Sequence, residues 1–321
     1  MAEGTATGSA AGRAGEGGGD ETGAAGRRVA TLALVTGALV WGLIWYPYRV
    51  LRDAGIEGVV ATTLTYGVAL LVALVVWRGR GFTLCAHREA GQEGLSRRLL
   101  LLAAMALAAG GCNIGYVLAT LTGEVMRVLL LFYLAPLWTV LLSRFLLGER
   151  LNVFGGFVVL LSLAGAATML WRPEAGLPLP RDTADWTGLG AGFCFALYNV
   201  LSRRAREVAV ETRLLASFAG VVALGLLLGF ADLAVATRAP PSAWGLLLLV
   251  GMLLLVVNLV VQFGLASTPA NQAIVIMLSE VGFAAVSSWA LAGEMLGLQE
   301  WAGGAMIIAA SLFTTRMEVA H

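Results

Sequence analysis

Glu280 sits about ten residues into an apolar run, with no arginine beside it. A carboxylate at that depth in a hydrocarbon layer costs about 2.5–3.5 kcal/mol on insertion scales. Two readings are open. It exchanges protons or meets the amine of a small ligand, or it stays protonated and hydrogen-bonds one helix to another. Neutral polar side chains recur elsewhere at helical spacing. Asn258 and Gln262 are four apart, as are Tyr198 and Ser202, with Asn199 beside them, and Asn113 and Tyr116 form a similar pair. Residues three or four apart share a helix face, so each pair could line a polar cavity. Each could equally be a contact between helices, worth about 0.6–2 kcal/mol. Trp41, Trp45, Tyr48 and Arg52 form an aromatic stripe on one helix face. Trp41 and Trp138 lie too deep for an interfacial belt and either wall an apolar pocket or fill space. Tyr48 and Arg52 are expected to anchor the outer end. Glu149 and Glu294 each precede a helix and are expected to cap it. Glu124 and Arg127 are expected to satisfy each other across one turn.

Several chemistries lack their residues. Cys85, Cys112 and Cys194 are far apart in the chain, and the two histidines, His87 and His321, lie in a polar loop and at the last position. Neither a disulfide framework nor a metal site is supported, and no cofactor is expected. There is no Walker A stretch, so ATP hydrolysis is not expected. A net charge of +1 offers no field for nucleic acid. All 21 basic residues are arginine.

The elements carrying these residues must be membrane spans. Charged residues make up 13% of the chain and hydrophobic ones 59%, with mean hydropathy +0.83. A water-facing domain needs about 25% charged residues to cover its surface. Apolar runs near 20 residues, the length of a helix crossing hydrocarbon, fall at 29–48, 58–77, 99–119, 124–145, 153–171, 187–203, 212–231, 243–264, 270–291 and 299–315. The expected fold is all-α and polytopic, with ten spans. Residues 1–28, rich in glycine and alanine, read as a disordered tail, 172–186 as a connecting loop, and 316–321 as a short C-terminal tail. With the N-terminus inside, 15 arginines fall on inner segments and 6 on outer ones. That bias places both termini in the cytoplasm. Trp77, Trp171, Trp186, Trp244 and Trp301 lie near span ends, as an aromatic belt would place them.

Two stretches look alike: FYLAPLWTVLLSRFLLGERL (132–151) and IMLSEVGFAAVSSWALAGEML (276–296). Each is an apolar span ending in Gly-Glu, and Gly148 and Gly293 are 145 residues apart, about half the chain. Five spans precede the central loop and five follow it. An odd number per repeat inverts one half relative to the other, an arrangement typical of secondary transporters with a midplane site at the repeat interface.

Trp41-Gly42 at the start of WGLIWYPYRVL, the LAPLWTVLLSRFLLGERL and FALYNVLSRRA segments, and LSEVGFAAVSSWALAGEML, in that order and spacing, resemble the EamA-type family of the drug/metabolite transporter superfamily. The resemblance covers nearly everything after the tail. It implies ten helices in two inverted five-helix repeats, 29–171 and 187–315, and export of amino acids or related metabolites across a plasma membrane. Partners would be a small-molecule substrate and the lipid bilayer, with protons a candidate coupling ion and a monomer or homodimer both open. Many relatives carry Glu-Pro in the ninth helix, where this chain has Glu280-Val281; its first-half counterpart, Ala135-Pro136, keeps the proline. The absence of intramembrane arginine in the last two spans argues against phosphorylated substrates. A membrane-embedded enzyme would call for paired acids near one face, and no such pair lies within a span. A receptor or scaffold would more naturally carry a soluble domain, and none is present.

Overall fold

The computed structural model describes residues 17–78, 92–148, 153–171, 180, 182–205, 207–268, 276–277, 279–295 and 297–317. Among them the chain is helical: α1 (Gly17–Leu43), α2 (Trp45–Asp53), α3 (Gly58–Arg78), α4 (Gln92–Thr122), α5 (Val125–Phe132), α6 (Ala135–Leu147), α7 (Val153–Leu170), α8 (Thr183–Arg204), α9 (Val210–Gly229), α10 (Leu233–Ala236), α11 (Pro241–Ser267), α12 (Ser279–Ala292) and α13 (Leu298–Met317). Each expected span overlaps one of these helices or a collinear pair. Six stretches are long and apolar enough to cross a membrane: 28–53, 58–78, 95–122, 125–147, 210–236 and 241–265. α1 starts at Gly17, inside the stretch expected as a tail, so residues 17–28 are helical; residues 1–16 lie outside the described residues.

Polarity is arranged for lipid. Phe145, Val75 and Leu227 are 79%, 74% and 78% exposed, while Thr62, Thr65, Thr120, Asp185 and Ser288 are buried. The threonines close on their own helices: the hydroxyls of Thr62, Thr65 and Thr120 donate to the carbonyls of Gly58, Ala61 and Tyr116. This supplies the internal partner that hydrocarbon cannot. Trp171, Trp186 and Trp301 are half-exposed at helix ends, whereas Trp77 is buried.

Two proline breaks shape the bundle. Pro47 has no N–H, which leaves the Leu43 carbonyl without its usual donor, and the first span divides at Ile44 between α1 and α2. Pro136 does the same to Phe132, and the fourth span divides at Tyr133–Leu134. α6 and α12 both end on a left-handed glycine, Gly148 (φ 72°) and Gly293 (φ 69°), the residues of the repeated Gly-Glu pairs.

Packing reproduces itself when the halves are exchanged. α4 lies on α8 as α11 lies on α1, α4 on α9 as α11 on α3, and α5–α6 on α8 as α12 on α1. α3 with α9, α5 with α12 and α7 with α13 each meet their own counterpart. Direction is inverted as well. Contacts of Arg49, Arg52 and Arg127 gather the C-terminal end of α2, the end of α4, the starts of α5 and α8, and the residues after α12 at one end of the bundle. Contacts of Arg98, Arg203, Arg204 and Arg213 gather the start of α4, the end of α6, the end of α8 and the start of α9 at the other. α2 therefore finishes where its counterpart α8 begins, and α5 begins where its counterpart α12 finishes.

Lipid gives helices no hydrophobic reason to associate, so close backbone contact carries the packing. A Cβ on Gly42 would stand 2.9 Å from the Glu280 carbonyl, and one on Gly192 2.5 Å from the Phe132 carbonyl. Each is the point where the first helix of one half presses on the fourth of the other. Gly192→Ala is expected to destabilise the protein by about 1–3 kcal/mol, read as a lower thermal midpoint in detergent. Gly190→Ala, where an added Cβ meets nothing within 4 Å, is expected to hold or raise it.

Candidate functional site

The α5–α12 contact, where counterparts meet, brings Glu280 to the site. Glu280 is in the first turn of α12. Its hydrogen-bonding neighbour is the hydroxyl of Tyr133, in the break between α5 and α6. The Tyr133 ring lies edge-on to that of Phe132, their centroids 6.0 Å apart. Tyr116 on α4 also lies within electrostatic range of the Glu280 carboxyl. Its hydroxyl is buried and has no hydrogen-bond partner among the described residues. Cys112, one turn before Tyr116, faces the same group. Phe132 stacks edge-on to Tyr116 at 5.7 Å and leans on Phe195 of α8 at 5.2 Å. One turn from Tyr116, Asn113 accepts a hydrogen bond from the Tyr66 hydroxyl and donates to the Ala109 carbonyl at 2.8 Å.

The result is one carboxyl group, two phenols and an aromatic wall built from both halves. Nothing in the cluster is cationic. It can accept from an ammonium group or bind a proton at Glu280, and it can donate from Tyr116 to an oxygen of a ligand.

Of the other residues singled out in the sequence, Trp41 is half-buried against the main core. Trp138 packs edge-on to Phe193 at 5.4 Å, with its indole N–H buried and unpartnered among the described residues. Tyr198 turns to Ser217 on α9, and Asn199 is half-buried on α8. Asn258 donates to the Leu254 carbonyl of its own helix at 2.8 Å, and Gln262 is half-buried on α11. These last four lie on α8 and α11, with Tyr198 in electrostatic range of Cys112.

Three pairings differ from expectation. Tyr48, expected with Arg52 as an outer anchor, is instead buried at 1% exposed, as is Trp45. The Trp45 indole donates to Ser287 at 3.0 Å, Ser287 donates to the Gly42 carbonyl at 2.9 Å, and Tyr48 shares a 2.8 Å hydrogen bond with Thr65. Glu294 accepts from the amides of Val125 and Met126 at 3.1 and 3.3 Å. It thus serves the N-terminus of α5, across the bundle from the helix it precedes; Glu149 lies outside the described residues. Arg127 turns from Glu124 to Asp185, which it grips with two 2.8 Å hydrogen bonds. Asp185 is itself tied by its amide to the Asp182 cap at 2.7 Å. A bidentate pair held on a cap outcompetes an exposed i, i+3 pair.

An inverted pair of helical repeats around a polar cluster at their contact defines a polytopic membrane protein of the kind that carries solutes. The EamA-like transporter family model matches residues 28–171 and again 182–316, and the chain belongs to that family. A solved structure described as "Crystal structure of protein" is 18% identical, covers 90% of this chain and 98% of its own, and superposes with a TM-score of 0.55; at that identity the likeness concerns the fold. No curated protein matches the chain.

Arg127 and Asp185 join the start of α5 to the start of α8. Removing either partner alone strands a buried charge, so Arg127→Gln or Asp185→Asn is expected to cost about 3–5 kcal/mol. The double change to apolar residues is expected to cost less than either, as measured by thermal unfolding of the purified protein.

Proposed function

We propose that the protein is a secondary transporter exporting small zwitterionic or neutral metabolites, amino acids among them, by alternating access around the Glu280 cluster. The observation that carries this is the Glu280 carboxyl between Tyr133 and the unpartnered Tyr116 hydroxyl at the contact of the inverted halves. Exchanging the conformations of two like halves opens such a site to one face and then the other. Glu280 takes the substrate amine, or a proton when the substrate is absent. Tyr116 meets an oxygen of the substrate. The ten helices form two five-span units, both termini lie in the cytoplasm, and the membrane is the plasma membrane, as the arginine bias supports.

The test is metabolite profiling inside and outside cells that overexpress the chain or lack it. Overexpression is expected to raise at least one amine-bearing metabolite outside. Glu280→Gln, present at equal level in the membrane, is expected to reduce that export about 10- to 100-fold, the scale of one charge-assisted hydrogen bond. Equal export by the variant would overturn the role of Glu280, and pH-dependent export retained in it would remove the proton role. Tyr116→Phe deletes a hydroxyl with no partner among the described residues. It is expected to leave the thermal midpoint unchanged and raise KM for the substrate so found about tenfold.

A further inference from the structure

Apart from the Glu280 cluster, the densest polar assembly joining the two halves is at the Arg49 end. Arg49, on α2, donates to the Thr120 carbonyl at 3.2 Å, the Gly123 carbonyl at 3.3 Å and the Glu294 carboxylate at 3.3 Å. Its guanidinium also stacks on the Trp45 ring, 4.7 Å from the centroid. Glu294 spends its other contacts on the first amides of α5. α2, the α4–α5 turn and the segment after α12 are thereby drawn together across the end of the bundle.

Placement makes this more than a brace. α5 and α12 run antiparallel, and a carboxylate joins them at each end: Glu294 at the start of α5, Glu280 at Tyr133 just past its finish. Beside Arg49, Trp45 and Ser287 join α2 to α12, and Ser287 joins α12 to α1 at the Gly42 carbonyl, through buried hydrogen bonds. Arg49 and Glu294 keep 22% and 15% of their side chains exposed, so water can take over their bonds when they part. At the other end the cross-half ion pair, Arg98 with Glu207, is longer at 3.8 Å and its carboxylate is 87% exposed; the remaining polar links there run from Arg203 and Arg204 to Ser143 and the Leu146 carbonyl.

We propose that Arg49 and Glu294 form the latch that closes the pathway from the Glu280 cluster at the Arg49 end, and that each transport cycle breaks and remakes it. This rests on the carrier reading, but its test does not need a substrate. Native Cys112, buried and reduced, lies one turn from Tyr116 and within electrostatic range of Glu280, and serves as the reporter. A membrane-impermeant maleimide is applied to each side of the membrane in turn, and Cys112 modification is read by peptide mass spectrometry. Cys85, expected on the opposite side, marks which side the reagent reached.

Arg49→Gln and Glu294→Gln are each expected to speed Cys112 modification from the Arg49 side about tenfold. A rate unchanged in both, or raised only from the other side, would overturn the latch and leave a static brace. Should those variants fold poorly, the Arg49→Cys/Glu294→Cys pair joined by a short bifunctional thiol reagent gives a second reading. Cross-linking is expected to slow Cys112 modification from that side and its reversal to restore it; equal rates would overturn the proposal. Failure here would leave metabolite export by the parent chain untouched, so the two readings fall separately.

Discussion

Inside hydrocarbon a polar group has no water to turn to, and each one this chain carries across the bilayer must find its partner within the bundle. That demand orders the structure. Threonine hydroxyls fold back onto their own helices. Arg127 and Asp185 pair where α5 and α8 begin, and Arg49 gathers two carbonyls and a carboxylate at the same end. Elsewhere in the interior polar side chains meet one another, as Trp45 meets Ser287, Tyr48 meets Thr65 and Tyr66 meets Asn113. At the α5–α12 contact a carboxyl and a phenol satisfy each other only in part, and the nearby Tyr116 hydroxyl has no partner among the described residues. A group left unsatisfied in so strict an environment is where a ligand has most to offer.

Much of the scaffold was legible because hydrophobic length is a local signal. The expected spans fall on helices, and the Gly-Glu repeat marks two helix ends with the same left-handed glycine. Glu280 stood out for the same reason, as one charged residue in an apolar run. Partnerships were not legible. Glu294 was read as a cap for its own neighbour, yet it caps α5, 169 residues away in the chain. Arg127 was read against Glu124 and instead binds Asp185, 58 residues on. Spacing reports which residues share a face of one helix, and these bonds are set by which helices touch. Tyr133 was passed over because it looked like one more aromatic in a hydrophobic run. The available signal is Pro136 three residues later, which divides the span at Tyr133–Leu134.

The polar pairs on α8 and α11 show the limit from the other side. Tyr198 reaches Ser217 and Asn258 its own helix, partners that helical spacing alone does not foretell.

The exchange symmetry of the packing stops short of the chemistry. Where one half has Glu280, the other has Ala135 at the matching place in the repeat. A molecule lodged between twin halves could sit in two mirrored poses; an acid on one side alone leaves it a single pose. The frame is thus two-fold in its packing and one-sided in its chemistry.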